Sequence, residues 1–340
     1  MKLLPTKKTG PAPQGNGAMT PIEMEMERTK RKLSPTAKQY LTTVSALVVL
    51  IVVFTIINNR FIASQNILNI VFQTTPIIII AMGQTYVLIT GGIDLTIGSN
   101  IAFAAMVSCL LMGGGLPFFA AIPIGMLIGV TVGAINGALI TYGKLPPFIA
   151  TMGTMSAVRG AAQIITNGMP VASGNALFQA IGQKRSFLSI PNSIYPMIVL
   201  VIIFGFILAK TRSGRYIYAY GSNYEATRLS GVNTNATILK AYVVSGFLSV
   251  CAGLLIAAKL DSAAPTAGDG YELDAVAASV IGGASTMGGE GTIFGTFLGA
   301  LVIGVLRNGL NLASINTNYQ KIVIGAVILA AVFVDKRRKK

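Results

Sequence analysis

The chain has 340 residues, is 53% hydrophobic and only 11% charged, and has a mean hydropathy of +0.68, which excludes a soluble globular protein. Its net charge of +15 is concentrated near the two ends instead of forming a patch for nucleic acid, and it contains no histidine. His-based zinc sites, Ser-His catalysis and His proton relays are therefore excluded.

Residues 1–40 are polar, rich in Pro and Gly at 9–17 and mixed in charge afterwards, and read as a disordered cytoplasmic tail. After so long a polar lead, the first apolar run is expected to be a retained span and not a cleaved signal. Runs such as 46–57 and 77–89 are continuously apolar, without the alternation of a barrel strand. The fold expected over 41–340 is thus an all-α polytopic membrane protein of roughly ten transmembrane helices. They are placed at 41–58, 67–90, 96–113, 117–142, 147–167, 195–210, 239–259, 272–287, 291–309 and 317–334. The eighth is short, a partial or tilted helix. With the N-terminus inside, Lys144, the 211–238 loop and the basic residues from Lys336 onwards all fall in the cytoplasm, together with the C-terminus. Loops 168–194 and 261–270 then lie outside. Cys109 and Cys251 sit in apolar segments, as small core residues.

Gly125, Gly129, Gly133 and Gly137 form a four-residue ladder in the fourth span, and Gly291, Gly295 and Gly299 form another in the ninth. Such stripes let helix backbones approach closely. Asn136-Gly137 and Asn308-Gly309 are followed at matching spacing by Gly153 and Gly325, and Gly98 maps on to Gly270. The ladders lie five spans apart, and this odd offset implies a 5+5 inverted repeat, a plan that builds alternating access around a central site. Glycine abundance in membrane helices is the plainer explanation of the stripes.

Polar groups inside spans are costly and therefore informative. Gly91 and Gly92 break the second span, and Asp94 after them either caps the next helix or contacts a ligand. Asp261, Asp269, Glu272 and Asp274 gather at an external loop and helix start, where acids also suit a helix N-terminus. Arg307 would pair reasonably with Asp274 or Glu272. Asp94, Asn100, Asn136, Glu272, Asp274 and Asn308 are the candidate substrate path, with polar contacts between helices as the rival role for the amides.

The 211–238 loop opens on a turn-like Thr-Arg-Ser-Gly and an aromatic strip, Tyr216, Tyr218 and Tyr220. Asn223 is a good N-cap for about two turns of helix with Glu225 near its start and Arg228 near its end, closed by Gly231. Lys210, Arg212 and Arg215 flank it. The segment is either an ordinary inter-helix loop or a knob that docks into a soluble partner.

No HExxH, Gly-x-Ser-x-Gly or Walker-type phosphate loop is present, so an enzyme is not expected. Transport remains, with two possible energy sources. A cation-coupled secondary transporter needs midplane coupling groups, for which only Asp94 and Asp274 qualify. A subunit powered from outside needs only a cytoplasmic contact for its motor.

Four segments carry a resemblance: 91–99 (GGIDLTIGS), 214–216 (GRY), 225–231 (EATRLSG) and 270–275 (GYELDA). They resemble, in the same order, those of the bacterial ABC monosaccharide-importer permeases, above all the ribose-transport branch, and the similarity runs from about residue 40 to the end; the long N-terminal tail departs from the pattern. The resemblance implies a multi-pass permease of the bacterial cell (inner) membrane, working as a homodimer. It implies partner ATPase subunits that carry ATP and Mg, no cofactor on this chain, and an extracytoplasmic sugar-binding protein. It also implies that Asn223, Glu225, Ala226, Arg228, Leu229 and Gly231 belong to the ATPase-coupling segment. The cargo expected is a monosaccharide such as ribose or a similar pentose; the cation-coupled transporter stays as the alternative.

Overall fold

A computed structural model describes residues 35–186 and 190–338, and these are helical almost throughout. Most of the expected tail, 1–34, lies outside the described residues, while 35–40 are already helix. Pro35 opens that helix, a position where a missing N–H costs nothing.

Helix α1 (Pro35–Ile57) and a short 3-10 turn (Asn59–Ile62) lead to α2 (Ser64–Ile89), α3 (Ile97–Gly113), α4 (Phe118–Thr141) and α5 (Pro147–Ile164). Strand β1 (Val171–Ala172) and helix α6 (Ala176–Gln183) occupy the long loop before α7 (Ile194–Lys210). Two short helices, α8 (Arg212–Ser222) and α9 (Tyr224–Leu229), precede α10 (Thr234–Leu260). Strand β2 (Ser262–Ala263), α11 (Tyr271–Ile281), α12 (Ile293–Leu312) and α13 (Thr317–Arg338) complete the chain. β1 and β2 pair antiparallel, Val171 opposite Ala263 and Ala172 opposite Ser262.

A helix occupies each of the ten expected apolar segments, but they are not equally fit to cross a bilayer. Among the described residues five helices are long and apolar enough: α1 from Thr36, α2, α4, α10 and α12; six spans result if α7 and α8, bent by 64°, count as one. α11 has 11 residues and reaches only about 16 Å, well short of an apolar core about 30 Å thick. The expected turn at Thr211–Gly214 is instead the first turn of α8. Thr211 Oγ1 accepts the Gly214 N–H at 3.3 Å, and the three tyrosines of the aromatic strip ride on this helix.

α10 lies deepest, packed by α2, α3, α4 and α6, and α2 is enclosed by α7, α10, α11 and α12. α1 is peripheral and turns Val48, Val49, Val52 and Ile56 outwards, as a lipid-facing helix does. The glycine ladders explain the close approaches. A Cβ at Gly137 would sit 2.8 Å from Leu239 Cα, and one at Gly129 or Gly133 would run into the carbonyls of Gly246 or Tyr242, so α4 lies backbone to backbone on α10. Gly125 faces Ser108 of α3, while Gly295 and Gly299 face the carbonyls of Gly282 and Ala278 at the end of α11. Gly291 does not share the helix of its ladder. It precedes α12 with φ of +152°, where a side chain would be strained, and serves the turn between α11 and α12.

Candidate functional site

The α8–α9 projection is built around one residue. The Asn223 N–H closes α8 on the Ala219 carbonyl at 3.0 Å, while its Oδ1 accepts the Ala226 N–H at 2.9 Å and opens α9. Thr227 is buried and roots the short helix. Its outer face carries Tyr224, Glu225, Arg228 and Leu229, all exposed, before Gly231 turns the chain at φ of +78°. Glu225 Oε2 accepts from Arg228 Nη2 at 2.9 Å, and this hydrogen bond and charge hold the Arg228 pKa above its ordinary value. Tyr220 of α8 meets Tyr224 edge-on at 5.5 Å, tying the two helices together.

The projection is seated on the bundle through α8. Gly221 leaves no room for a Cβ against the Ile89 carbonyl, which ends α2, or against the Gly289 nitrogen. The Gly289 N–H donates to Ile89 O at 2.9 Å, and Tyr218 Oη donates to Gly291 O at 2.6 Å. α8 therefore rests on the end of α2 and on the turn between α11 and α12.

At the opposite end of the bundle, where α7 starts and α10 finishes, lies a cavity of about 280 Å³. Phe72, Gln73 and Ile77 of α2, Lys259 of α10, Tyr271 of α11 and Arg307 of α12 line it. Pro76 within α2 leaves the Phe72 carbonyl without its helical donor at this wall. Arg307 Nη2 donates to Asp274 Oδ2 at 2.5 Å and its guanidinium lies 5.7 Å from the Tyr271 ring centre. Lys259 Nζ sits 4.1 Å over the Phe72 ring. The wall is thus mixed: aromatic faces, two cations and the amides of Gln73 and Asn311.

None of the six residues expected along the path lines this cavity, and they are not gathered in one place. Asp94, Asn100 and Asn136 form a buried cluster between α3, α4 and α10. Asp94 Oδ1 accepts from the Thr96 N–H at 2.9 Å and from Thr96 Oγ1 at 2.5 Å, and Oδ2 accepts from Ser245 Oγ at 2.6 Å. Asn136 Nδ2 donates to Thr96 Oγ1, and Asn100 Nδ2 to the Gly246 carbonyl. Asp274 reaches the cavity only through Arg307. Glu272 lies against the backbone of Gly98, and Asn308 accepts from Asn66 Nδ2 at 3.0 Å. Asp94, Asn100, Asn136, Asp274 and Asn308 thus each bond to another element, the rival role of polar residues in membrane spans, while Oδ1 of Asn100, Asn136 and Asp274 has no protein partner.

The Asp94 carboxylate holds a helix start to α10. Asp94→Ala should cost about 2–5 kcal/mol, since a buried N–H and two hydroxyls lose their shared acceptor. Asp94→Asn keeps one acceptor and should cost less. Thermal unfolding in detergent checks this; an unshifted midpoint for Asp94→Ala would leave the carboxylate without a structural role.

Other residues were not singled out by their sequence. Arg159 on α5 donates to the Pro265 and Ala267 carbonyls at 2.5 and 2.9 Å and pairs with Asp269 at 3.3 Å, clamping the loop before α11. A lone arginine in an apolar helix was the available signal. Thr85 of α2 bonds Ser279 of α11 and Thr296 of α12 at 3.0 and 2.6 Å, a junction that hydroxyls in three separate helices do not announce.

A family model described as branched-chain amino acid transport system / permease component matches residues 66–332. A ribose import permease protein of Haemophilus influenzae is 46% identical over 294 residues, 85% of this chain and 91% of that one. A ribose import permease protein of Bacillus subtilis is 42% identical, covering 86% and 91%. A D-allose transport system permease protein of Escherichia coli is 37% identical, covering 81% and 85%. No solved structure gives a significant match.

Proposed function

The chain belongs to the branched-chain amino acid transport system / permease component family, and from that membership we propose that it is the membrane subunit of an ATP-driven monosaccharide importer, carrying ribose or a similar pentose. The names of its relatives support the cargo class: ribose for two and D-allose for a third. Hydrolysis belongs to separate ATPase subunits that hold ATP and Mg²⁺, and a sugar-binding protein delivers cargo from outside. Two copies of this chain sit side by side in the bacterial inner membrane, with both termini and α8–α9 in the cytoplasm.

One observation carries the proposal: a single helix, α2, meets the α8–α9 projection at one end and lines the polar cavity at the other. Closure of the ATPase pair displaces α9, Asn223 passes the movement to α8, and α8 bears on Ile89 and on the turn before α12. The far end of α2 then shifts against α10 and α12, and the cavity closes behind the sugar. Its wall of scattered donors and aromatic faces holds cargo loosely, which release requires.

Ten transmembrane segments in a 5+5 inverted repeat are part of the same proposal. The packing pairs support it. α4 on α10 corresponds to α12 on α2, α3 on α10 to α11 on α2, and α3 on α5 to α11 on α13. The cation-coupled alternative has less behind it, because its two candidate carboxylates, Asp94 and Asp274, are engaged by Ser245, Thr96 and Arg307.

Proteoliposomes holding the permease with its ATPase and binding protein should take up labelled ribose only with ATP inside, and should keep doing so when ionophores collapse the ion gradients. Uptake by the permease alone on an ion gradient would overturn the proposal.

A further inference from the structure

The face of α2 that lines the cavity continues past it. Helix positions advance by about 100° per residue, so Gln73, Ile77, Ile80 and Gln84 share one narrow stripe. Gln73 and Ile77 line the cavity, and Ile80 is wholly buried beneath them. Gln84 lies two turns, about 10 Å, beyond Ile77 along the helix. It too is wholly buried, and neither its Oε1 nor its Nε2 has a protein partner.

Its neighbours fix its direction. Gly83 abuts Ser245 of α10, and Thr85 bonds Ser279 of α11 and Thr296 of α12. Tyr86 reaches the other way, to the Phe204 carbonyl of α7. A side chain between positions 83 and 85, opposite the α7 side, faces the seam between α10 and α11. Those two helices also supply Lys259 and Tyr271 to the cavity wall. The amide therefore points into the line along which the cavity would extend.

A buried amide with both atoms idle is costly and needs a reason. The other buried amides, Asn100, Asn136, Asn308 and Gln320, each make at least one side-chain hydrogen bond; Gln84 makes none, so it does not serve to join helices. We propose that Gln84 is a hydrogen-bonding station for sugar hydroxyls on the transport path, closed off from the cavity in this structure by Ile77 and Ile80. An amide offers a donor pair and an acceptor, which suits a polyhydroxylated ring, and carries no charge that would hold the cargo. The two isoleucines act as the gate: when α2 shifts, the sugar exchanges the cavity wall for Gln84. This assignment rests on the importer proposal above and names a residue for its path.

The test uses the assembled complex of permease, ATPase and binding protein in proteoliposomes. Gln84→Leu removes an unpaired amide, so its thermal midpoint should stay at or above that of the wild type. ATP-driven ribose uptake should nevertheless fall roughly tenfold, the weight of one missing hydrogen bond at a crossing point. Gln84→Asn should recover part of the loss. In a second arm, Gln84→Cys is made together with Cys109→Ala and Cys251→Ala and exposed to a small charged thiol reagent. It should be inert at rest, react during ATP turnover, and react more slowly when ribose is present. Wild-type rates for Gln84→Leu, or a thiol inert in every state, would overturn the role of Gln84 while leaving the importer standing. No ATP-dependent uptake by the wild-type complex would overturn both.

Discussion

Leu229→Asp should separate the permease from its ATPase while leaving the membrane bundle intact. Leu229 is 80% exposed at the tip of α9, on a polar connecting segment and not on a bilayer-facing helix. In the proposed complex this apolar tip enters a pocket on the ATPase. A carboxylate there would be desolvated without a counter-charge, and the loss should reach about 2–4 kcal/mol, at least thirtyfold in affinity. Co-purification with the ATPase should fail and ATP-driven uptake should drop accordingly, with thermal stability of the isolated permease unchanged. Glu225→Ala and Arg228→Ala should act in the same direction. Their ion pair is exposed and contributes little to the fold, so lost uptake in either variant reports on the partner and not on unfolding. Full ATPase binding and full uptake in all three variants would remove α9 from the coupling path.

Arg307→Met should destabilise the bundle by about 3–5 kcal/mol, because Asp274, 1% exposed at its side chain, is left as an uncompensated buried carboxylate. The double variant Arg307→Met with Asp274→Leu should regain most of that stability, since well-packed apolar groups replace a buried pair at little net cost. Uptake should not recover with it. The double variant still lacks the guanidinium beside Tyr271, one of the two cations on the cavity wall. Thermal midpoints in detergent, read beside ribose uptake in proteoliposomes, separate the two effects. A double variant with wild-type uptake would reduce the pair to scaffolding.

Features that depend on neighbours in sequence were legible before any coordinates. Asn223 and Gly231 bracket α9 as a cap and a left-handed terminus should, and the break at Gly91–Gly92 with Asp94 behind it is where α2 gives way to α3. The apolar runs located every long helix, because bilayer-scale hydrophobicity needs no tertiary information. What required coordinates is what depends on distant partners. Gly214 and Gly221 look like turn residues, yet they are there because α8 lies against the carbonyls of Leu208 and Ile89. The bond between Arg307 and Asp274 was plausible from residue types, but only the crossing of α11 and α12 brings it about. Gln84 is one polar residue in an apolar run, and its meaning comes from the stripe it shares, which only the packing of α2 reveals.

The small sheet has a consequence for how such a bundle could open. β1 follows α5 and β2 follows α10, so its strands issue from the two halves of the proposed repeat, and Ser173 adds a hydrogen bond to Asp261 at 2.5 Å. The rim on that side is stitched across the divide, so the halves cannot part there without tearing main-chain pairs. A gap wide enough for a sugar has to form away from this seam, and by the sliding of single helices such as α2, since the halves also interlock where α10 lies on α3 and α4 and α2 on α11 and α12.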